Sequence, residues 1–181
     1  MLELLKKAGI LLFETIKIIV VSLAIILPIR YFLIQPFYVE GASMEPNFHP
    51  KEYLIIDEIS YRVSEPERGD VVVFRYPRDP KQFYIKRLIG LPGETVEIIK
   101  GQVFIDNAEL TEEYLATINL SFDTKDKVTL VDDEYYFMGD NRKNSLDSRV
   151  FGPVSDKFLI GRVWIRGWPL DRLDVFGDFE Y

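Results

Sequence analysis

One short segment organises the whole chain: Val39-Glu40-Gly41-Ala42-Ser43-Met44-Glu45-Pro46. Gly41 permits a backbone conformation that most residues avoid, and the small side chain of Ala42 leaves space beside Ser43. Pro46 then restricts the backbone again. A serine presented on such a turn, next to the apolar Met44, is a candidate nucleophile. Glycine, serine and proline are also ordinary turn residues, so a turn without chemistry is the alternative.

A long apolar run precedes this segment, from about Ile10 to Ile34, and residues 18–29 within it carry no charge. A membrane-spanning helix needs about 20 apolar residues, and the run reaches that length when its charged fringes are included. We predict a retained transmembrane anchor over residues 10–34. The alternatives are a buried core helix and a cleaved secretory signal, although Leu27-Pro28-Ile29-Arg30 offers no small-residue cleavage site.

The charges that flank this anchor predict its orientation. Lys6, Lys7 and Lys17 outweigh Arg30, and an excess of positive charge favours the cytoplasmic side. We therefore expect residues 1–9 to lie in the cytoplasm. Residues 35–181 would form an extracytoplasmic domain held at the cell membrane.

The composition excludes several classes of function. The chain has 181 residues, with 22 basic and 29 acidic side chains and a net charge of −7, so it is a poor candidate for binding nucleic acid. The absence of cysteine rules out thiol catalysis, disulfides and cysteine-ligated zinc. The single histidine, His49, cannot build a multi-histidine metal site, and its turn-like surroundings indicate a solvent-facing side chain. We expect no metal and no cofactor, and a Ser-His-Asp triad would have to rest on His49 alone.

Beyond the anchor, the sequence predicts a mainly β domain with an antiparallel, barrel-like sheet. Short runs rich in β-branched and aromatic residues are bounded by Gly, Pro and Asp, as expected of strands. These runs are residues 53–56, 70–74, 83–89, 95–99, 102–105, 135–138 and 161–165. Lys100-Gly101 is a two-residue hairpin signal. The polar residues near 106–130 indicate an exposed excursion, so we expect a small inserted β subdomain at about 94–134.

A serine nucleophile needs a neighbouring base, and the predicted strand Tyr84–Ile89 supplies a candidate. Strand alternation places Lys86 on one face and Arg87 on the other. Arginine stays protonated in proteins, so Lys86 is the residue able to act as a base. Burial in this apolar strand would lower the pKa of Lys86 and raise its neutral fraction. The alternative is an edge-strand lysine that reaches solvent and deters strand pairing.

A third polar cluster, Gly139-Asp140-Asn141-Arg142-Lys143-Asn144-Ser145-Leu146-Asp147-Ser148-Arg149, follows a predicted strand. It packs hydroxyls, amides and opposite charges into one loop. Such a loop can orient a base through a hydroxyl and internal ion pairs. A polar turn held by its own hydrogen bonds is the alternative.

With these segments in hand, the chain resembles the bacterial type I signal peptidases, which are Ser-Lys dyad proteases. The resemblance extends from the anchor to about Trp168, and the motifs occur in the family's order. Residues 41–46 resemble the nucleophile box, residues 68–74 the following strand, residues 84–94 the general-base box and residues 139–152 the last box.

This resemblance implies roles for individual residues. Ser43 would attack the substrate carbonyl while neutral Lys86 takes its proton and later returns it to the leaving amine. Ser145 matches the hydroxyl that positions the lysine, and Asp147 and Arg149 match a supporting ion pair. The remaining family pair would be Asp140 with Arg87. Gly41, Ala42, Met44 and Pro46 would shape the nucleophile turn.

The sequence departs from the family pattern at two positions. Asn47 stands where threonine is common, and we expect it to make similar turn hydrogen bonds. Gly41 stands where some members carry a serine whose hydroxyl helps to hold the oxyanion. The oxyanion would then be held by backbone N–H groups, chiefly that of Ser43, while the second donor stays open.

The family implies exported preproteins as substrates, cut after small residues of the Ala-x-Ala type, and the lipid bilayer as a further partner. An extended substrate would add to a strand edge and place alternate side chains in shallow apolar pockets. Trp164, Trp168 and Phe176 are candidates for interfacial contacts, with core packing as the alternative for Trp164. The rival functions are a Ser-Lys self-cleaving regulator, which would need a DNA-binding domain in place of the anchor, and an anchored β module without catalysis.

Overall fold

The computed structural model describes residues 2–32, 35–115 and 126–177 and divides the chain into two compact units, Met1–Gln35 and Pro36–Tyr181. The first unit is a helix, α1 (Leu2–Phe32). Its stretch Lys6–Leu27 has a mean hydropathy of 2.6, and within the described ranges it alone is long and apolar enough to cross a membrane. The side chains of residues 6–27 are exposed. Residues 33 and 34 of the predicted anchor lie outside the described residues.

The second unit is mainly antiparallel β structure, as the sequence predicts. Its strands are β1 (Gln35–Tyr38), β2 (Tyr53–Asp57), β3 (Val71–Tyr76), β4 (Asp79–Gly90), β5 (Thr95–Ile99), β6 (Gln102–Ile105), β7 (Ala108–Glu109), β8 (Asp126–Thr129), β9 (Glu134–Met138), β10 (Val154–Ser155), β11 (Leu159–Trp168) and β12 (Asp174–Val175). The helices are single turns, α2 (Ser60–Val63) and α3 (Ser148–Phe151), with 3-10 turns at Asp156–Phe158 and Leu170–Arg172.

Eight strands form the main sheet in the order β1-β2-β11-β3-β4-β9-β10, with β12 paired to β11. This order has two ends, so the described strands do not close into a barrel. The sheet is covered on both faces, which follows from the alternation along β3. Val71 and Val73 pack into one buried cluster with Met44, whereas Val72 and Phe74 pack into another. A strand buried on both faces has a continuous apolar sequence, as the first four residues of β3 do.

Strands between β4 and β9 form a second, four-stranded sheet in the order β7-β6-β5-β8, with a buried cluster around Val96, Ile98 and Val103. Lys100 and Gly101 join β5 to β6 with φ angles of 51° and 85°. Two residues with positive φ are the signature of the hairpin turn that the sequence predicts. Strand β8, at the end of the polar stretch near residues 106–130, pairs with β5 in this second sheet and not with the main sheet.

Candidate active site

The turn that carries Ser43 is anchored on its two sides. Gly41, before the serine, has a φ of +80°, the left-handed region that glycine adopts most easily. After the serine, the Met44 and Phe48 side chains are buried in the core, and the Phe48 N–H donates to the Met44 carbonyl at 2.9 Å. Ser43 itself is half-buried. The buried residues therefore hold the turn in place while the hydroxyl stays accessible.

Lys86 on β4 meets this serine. Its Nζ donates to Ser43 Oγ at 2.8 Å, across 43 residues of sequence, and to the Ile85 carbonyl at 2.8 Å. The Nζ also lies 5.2 Å from the ring centroid of Tyr84. The side chain is 4% exposed. A hydroxyl and an amine in direct contact, with the amine shielded from water, have the geometry that a nucleophile–base pair requires.

Burial lowers the pKa of Lys86 from 10.5 to about 8, because the charged ammonium loses its hydration. The negative charges of Asp147 and Asp140 act in the opposite direction but do not outweigh burial. The lysine is therefore neutral in a substantial fraction of molecules near neutral pH.

Asp147 and Arg149 form a buried ion pair in the loop after β9. Arg149 donates from both Nε and Nη2 to the carboxylate at 2.7 Å, and the Gly139 N–H donates to it at 2.9 Å. Burial alone would raise the pKa of Asp147, but the bonds and charge of Arg149 and the Gly139 N–H outweigh it and hold that pKa below its usual range. Asp147 stays ionised and fixes the loop against the end of β9.

Arg87 and Asp140 form a second ion pair that is also buried. Arg87 donates to the carboxylate from Nε at 2.8 Å and from Nη2 at 2.6 Å, and its Nη1 donates to the Gly69 carbonyl at 2.9 Å. The ring centroid of Tyr114 lies 4.0 Å from the guanidinium carbon. Strand β4 thus carries two neighbouring cations, of which one is fully paired and the other faces the serine.

A groove of about 580 Å³ leads to Ser43 and Lys86. Apolar side chains line much of it, including Phe37, Val39, Leu54, Val73, Ile85 and Leu146. Its walls come from β1 and from the first half of β4. In the described part of the chain, β1 ends the main sheet, and β4 pairs with β9 only through Arg87, Leu88 and Gly90. Two strand edges without a neighbour therefore border the groove.

Sequence comparison gives this geometry a family. Residues 12–168 match the family described as "Signal peptidase, peptidase S26". The chain belongs to this signal peptidase family. It is therefore a peptidase of the signal peptidase I type.

Curated relatives and a solved structure support the same family assignment. The peptidase is 39% identical over 168 residues to a "Probable signal peptidase I-2" from Synechocystis, covering 90% of this chain and 76% of the relative. It is 35% identical to "Signal peptidase I P" from Bacillus subtilis subsp. natto, covering 93% and 94%. The crystal structure of a signal peptidase I from Enterococcus faecalis V583 has a TM-score of 0.50 and 35% identity, covering 55% of this chain and 97% of that one.

The peptidase holds its nucleophile turn through a residue to which the sequence analysis gave no role. Asn141 donates from Nδ2 to the Ala42 carbonyl at 3.0 Å and from its backbone N–H to the Ser43 carbonyl at 2.9 Å. The expectation for Asn47 was wrong, since its amide makes long-range bonds to Asp140 at 2.7 Å and to the Tyr114 carbonyl at 3.0 Å. Both contacts link distant segments, so only the general suitability of asparagine for turns was visible in the sequence.

The segment after β7 also contacts the site, which the sequence analysis did not predict. Glu112 pairs with the buried guanidinium of Arg142, with Nη1 donating at 3.0 Å, and accepts a bond from the Tyr114 hydroxyl at 2.5 Å. Because the Tyr114 ring covers Arg87, this segment links the loop after β9 to strand β4. No signal beyond the presence of acidic and aromatic residues indicated this contact.

Ser145 lies inside the loop, although the hydrogen bond to Lys86 that its family role suggests is not formed. Its Oγ is buried and contributes to lowering the pKa of Asp147, yet it has no partner at hydrogen-bond geometry among the described residues. A Cβ added at Gly139 would collide with this Oγ. The Ser145 hydroxyl is thus tightly packed at the site but makes no hydrogen bond of good geometry with the described residues.

His49 lies at the edge of the turn. Its Nδ1 is 3.4 Å from the Glu45 carboxylate, and its side chain is 43% exposed. The partner of Ser43 is Lys86, so the serine does not use the histidine. Across residues 2–32, 35–115 and 126–177, no cluster of three or more potential metal-binding side chains occurs.

Proposed function

We propose that this chain is a membrane-anchored serine endopeptidase that removes N-terminal signal peptides from exported preproteins, with Ser43 as nucleophile and neutral Lys86 as general base. The observation that carries the proposal is the 2.8 Å contact between Lys86 Nζ and Ser43 Oγ at the end of an apolar groove. The family supplies the reaction class, and the contact supplies the residues.

The pKa of Lys86 supports its role as the base. With a pKa of about 8, roughly one lysine in ten is neutral at pH 7, compared with about one in three thousand at the ordinary value of 10.5. The neutral amine takes the proton of Ser43 Oγ as the oxygen bonds to the scissile carbonyl carbon. The resulting oxyanion accepts a hydrogen bond from the Ser43 N–H.

The same lysine then completes the cycle. Lys86, now an ammonium, gives its proton to the leaving amine as the carbon–nitrogen bond breaks and an acyl-enzyme forms on Ser43. Water attacks the ester, Lys86 takes a proton from it, and Ser43 regains its hydrogen when the acid product leaves. Each proton transfer uses Lys86, whose Nζ already lies 2.8 Å from Ser43 Oγ.

Two strand edges support an extended substrate. A peptide laid between β1 and the first half of β4 would find backbone donors and acceptors on both sides. Its alternate side chains would point into the apolar wall of Val39, Leu54 and Ile85. Shallow apolar pockets of this kind admit a methyl group, which supports a preference for alanine at the first and third positions before the cut.

The helix α1 supports anchoring. Residues Lys6–Leu27 are apolar enough for a bilayer, and their side chains are exposed rather than buried, which disfavours the core-helix alternative. With Lys6, Lys7 and Lys17 near one end, we place the N-terminus in the cytoplasm and residues 35–181 outside it, at the cell membrane. Lipid is then a partner alongside the preprotein.

The test is cleavage of a purified preprotein with an Ala-x-Ala site by the full chain in detergent. Wild type should cut after the second alanine, and Ser43→Ala, Lys86→Ala and Lys86→Arg should not, because arginine keeps the charge but cannot act as a base. Lys81→Arg, on the exposed part of β4, is the matched control and should cut normally.

Circular dichroism would establish that each variant is folded. A folded wild type that leaves the substrate whole would favour the anchored β module instead. Near-normal turnover by Lys86→Arg would exclude the proposed base.

A further inference from the structure

We propose that Asn141 is a positioning residue that aims the Ser43 N–H at the oxyanion. The inference rests on the proposed function, since it concerns how the same nucleophile turn stabilises the tetrahedral intermediate. It assigns a role to a side chain that does not itself touch the substrate.

Asn141 contacts two consecutive peptide groups of the nucleophile turn. Asn141 Nδ2 donates to the Ala42 carbonyl at 3.0 Å, and the Asn141 backbone N–H donates to the Ser43 carbonyl at 2.9 Å. Asn141 therefore binds both the Ala42–Ser43 peptide group and the Ser43–Met44 peptide group. The orientation of both peptide planes is set from the loop after β9.

The planar peptide group transmits this grip to the catalytic donor. The Ala42 carbonyl and the Ser43 N–H belong to the same peptide group, which is trans. In a trans peptide, the C=O and N–H vectors point in opposite directions. When Asn141 draws the Ala42 oxygen toward the loop, the Ser43 N–H must point away from it. That direction is fixed before any substrate binds, which is the preorganisation that an oxyanion donor requires.

The turn would not hold this orientation as firmly by itself. Apart from Asn141, the described residues give the Ala42 carbonyl one further hydrogen bond, a long 3.3 Å contact from the Glu45 N–H. Gly41, immediately before, has no side chain to resist rotation of the neighbouring peptide and offers no hydroxyl for the oxyanion. The chain thus depends on a backbone donor in a segment where the backbone is easily turned.

Close packing of the loop against the turn makes the grip possible. A Cβ added at Gly139 would lie 2.5 Å from the Ser43 carbonyl oxygen, closer than van der Waals contact allows. The glycine lets the loop backbone approach the turn, and Asn141, two residues later, spans the remaining gap. Two independent features, a missing side chain and a doubly donating asparagine, therefore serve the same contact.

The experiment measures kcat and KM of the full chain in detergent on a peptide with an Ala-x-Ala site. Asn141→Ala removes the side-chain donor, and the isosteric Asn141→Asp replaces it with a carboxylate that repels the Ala42 oxygen. Loss of one oxyanion donor lowers kcat about 10²–10³-fold, so a misdirected donor should lower it about 10- to 100-fold with KM within about threefold. Asn144→Asp adds the same charge to an exposed position of the same loop and should leave kcat unchanged.

A second measurement separates positioning from folding. A peptide aldehyde, which forms a tetrahedral adduct with Ser43, should bind the Asn141 variants less tightly by about the same factor as kcat falls. The uncleaved peptide should bind Ser43→Ala and Ser43→Ala/Asn141→Ala equally well. Unchanged aldehyde affinity in both Asn141 variants, or a loss of activity that matches the loss of folded protein, would overturn the inference.

The controls keep this result distinct from the proposed function. Inhibition of wild type by the aldehyde, together with inactivity of Ser43→Ala, tests the nucleophile without reference to Asn141. If both hold while the Asn141 variants behave as wild type, the inference alone is wrong. If the aldehyde does not inhibit wild type, the proposed function fails and the inference fails with it.

Discussion

Replacing Lys86 with methionine should stabilise the protein, and the gain should disappear as the pH rises. Folding lowers the pKa of Lys86 from 10.5 to about 8, because the ammonium is buried on β4. Below pH 8 the lysine is protonated in both the folded and the unfolded state, so the folded state carries the whole cost of this shift. A shift of about 2.5 units corresponds to about 3 kcal/mol of unfolding free energy.

The direction in which pH changes the unfolding free energy follows from proton binding by Lys86. Between pH 8 and 10.5 the unfolded chain still holds the proton of Lys86 while the folded chain has lost it. Raising the pH in this window therefore stabilises the folded wild type, by about 2 kcal/mol between pH 8 and 9.5. Lys86→Met has no such group, and the other titrating groups are common to both proteins. The stability difference should thus be largest near pH 6.5 and small at pH 9.5.

Local contacts reduce the expected gain only in part. Methionine retains an unbranched apolar chain but loses the bond from Nζ to the Ile85 carbonyl, which is worth about 1 kcal/mol. The bond from Nζ to Ser43 Oγ is lost as well, but the half-buried serine hydroxyl borders the groove and can bind water instead. Lys86→Met should therefore be about 2 kcal/mol more stable than wild type at pH 6.5. By pH 9.5 the two proteins should be about equal in stability.

The assay is urea unfolding of the full chain in detergent at several pH values. Fluorescence of Trp164 and Trp168 reports on the β domain, because both residues lie on β11. Lys81→Met, at an exposed position of β4, controls for the loss of a lysine and should show no pH-dependent difference. A Lys86→Met variant that is less stable than wild type at pH 6.5, or a difference that does not shrink by pH 9.5, would refute the reasoning.

Three further predictions concern activity and the supporting contacts. The value of kcat/KM should rise with pH, with an apparent pKa of about 8, as Lys86 loses its proton. Asp147→Asn should shift this rise to lower pH because the carboxylate raises the pKa of Lys86, and a rise that stays in place or shifts to higher pH would contradict this. Glu112→Ala should lower the unfolding free energy by about 3 kcal/mol in the same urea titration, since it removes the carboxylate that pairs with the buried guanidinium of Arg142. The control Glu113→Ala, at an exposed position, should change that free energy by under about 0.5 kcal/mol. Ser145→Ala should lower kcat while leaving the thermal midpoint unchanged or higher, because the buried hydroxyl has no hydrogen-bond partner to lose; parallel loss of both would make Ser145 structural.

Local patterns predicted the parts of the fold that local physics determines. The run Val71–Phe74 is apolar on both faces because it lies inside the main sheet, and Lys100-Gly101 forms the turn that its residue types favour. Strand β8 (Asp126–Thr129) escaped prediction, since half of its residues are charged and only pairing with β5 makes it a strand. Strand β1 escaped because it follows directly on an apolar run from which composition does not separate it.

The candidate site likewise contains residues that local sequence could indicate and residues that it could not. Ser43 and Lys86 could be proposed from the sequence because a nucleophile and its base must be particular residue types, and the sequence offers few lysines in apolar surroundings. The contacts of Asn141 with Ala42 and of Glu112 with Arg142 span 99 and 30 residues. No local pattern distinguishes such an asparagine or glutamate from one that simply faces water. These supporting residues depend on tertiary structure and were therefore missed.

The two ion pairs explain how a lysine with a lowered pKa coexists with nearby carboxylates. Asp147 and Asp140 both raise the pKa of Lys86, and as unpaired anions in a buried site they would hold its proton strongly. Each is instead bound by two nitrogens of its own arginine, Asp147 by Arg149 and Asp140 by Arg87. Each guanidinium places an opposite charge against its carboxylate and so opposes the field of that carboxylate at Lys86, where burial prevails. The loop can then supply the rigidity of buried carboxylates without raising the pKa of Lys86 back to its ordinary value.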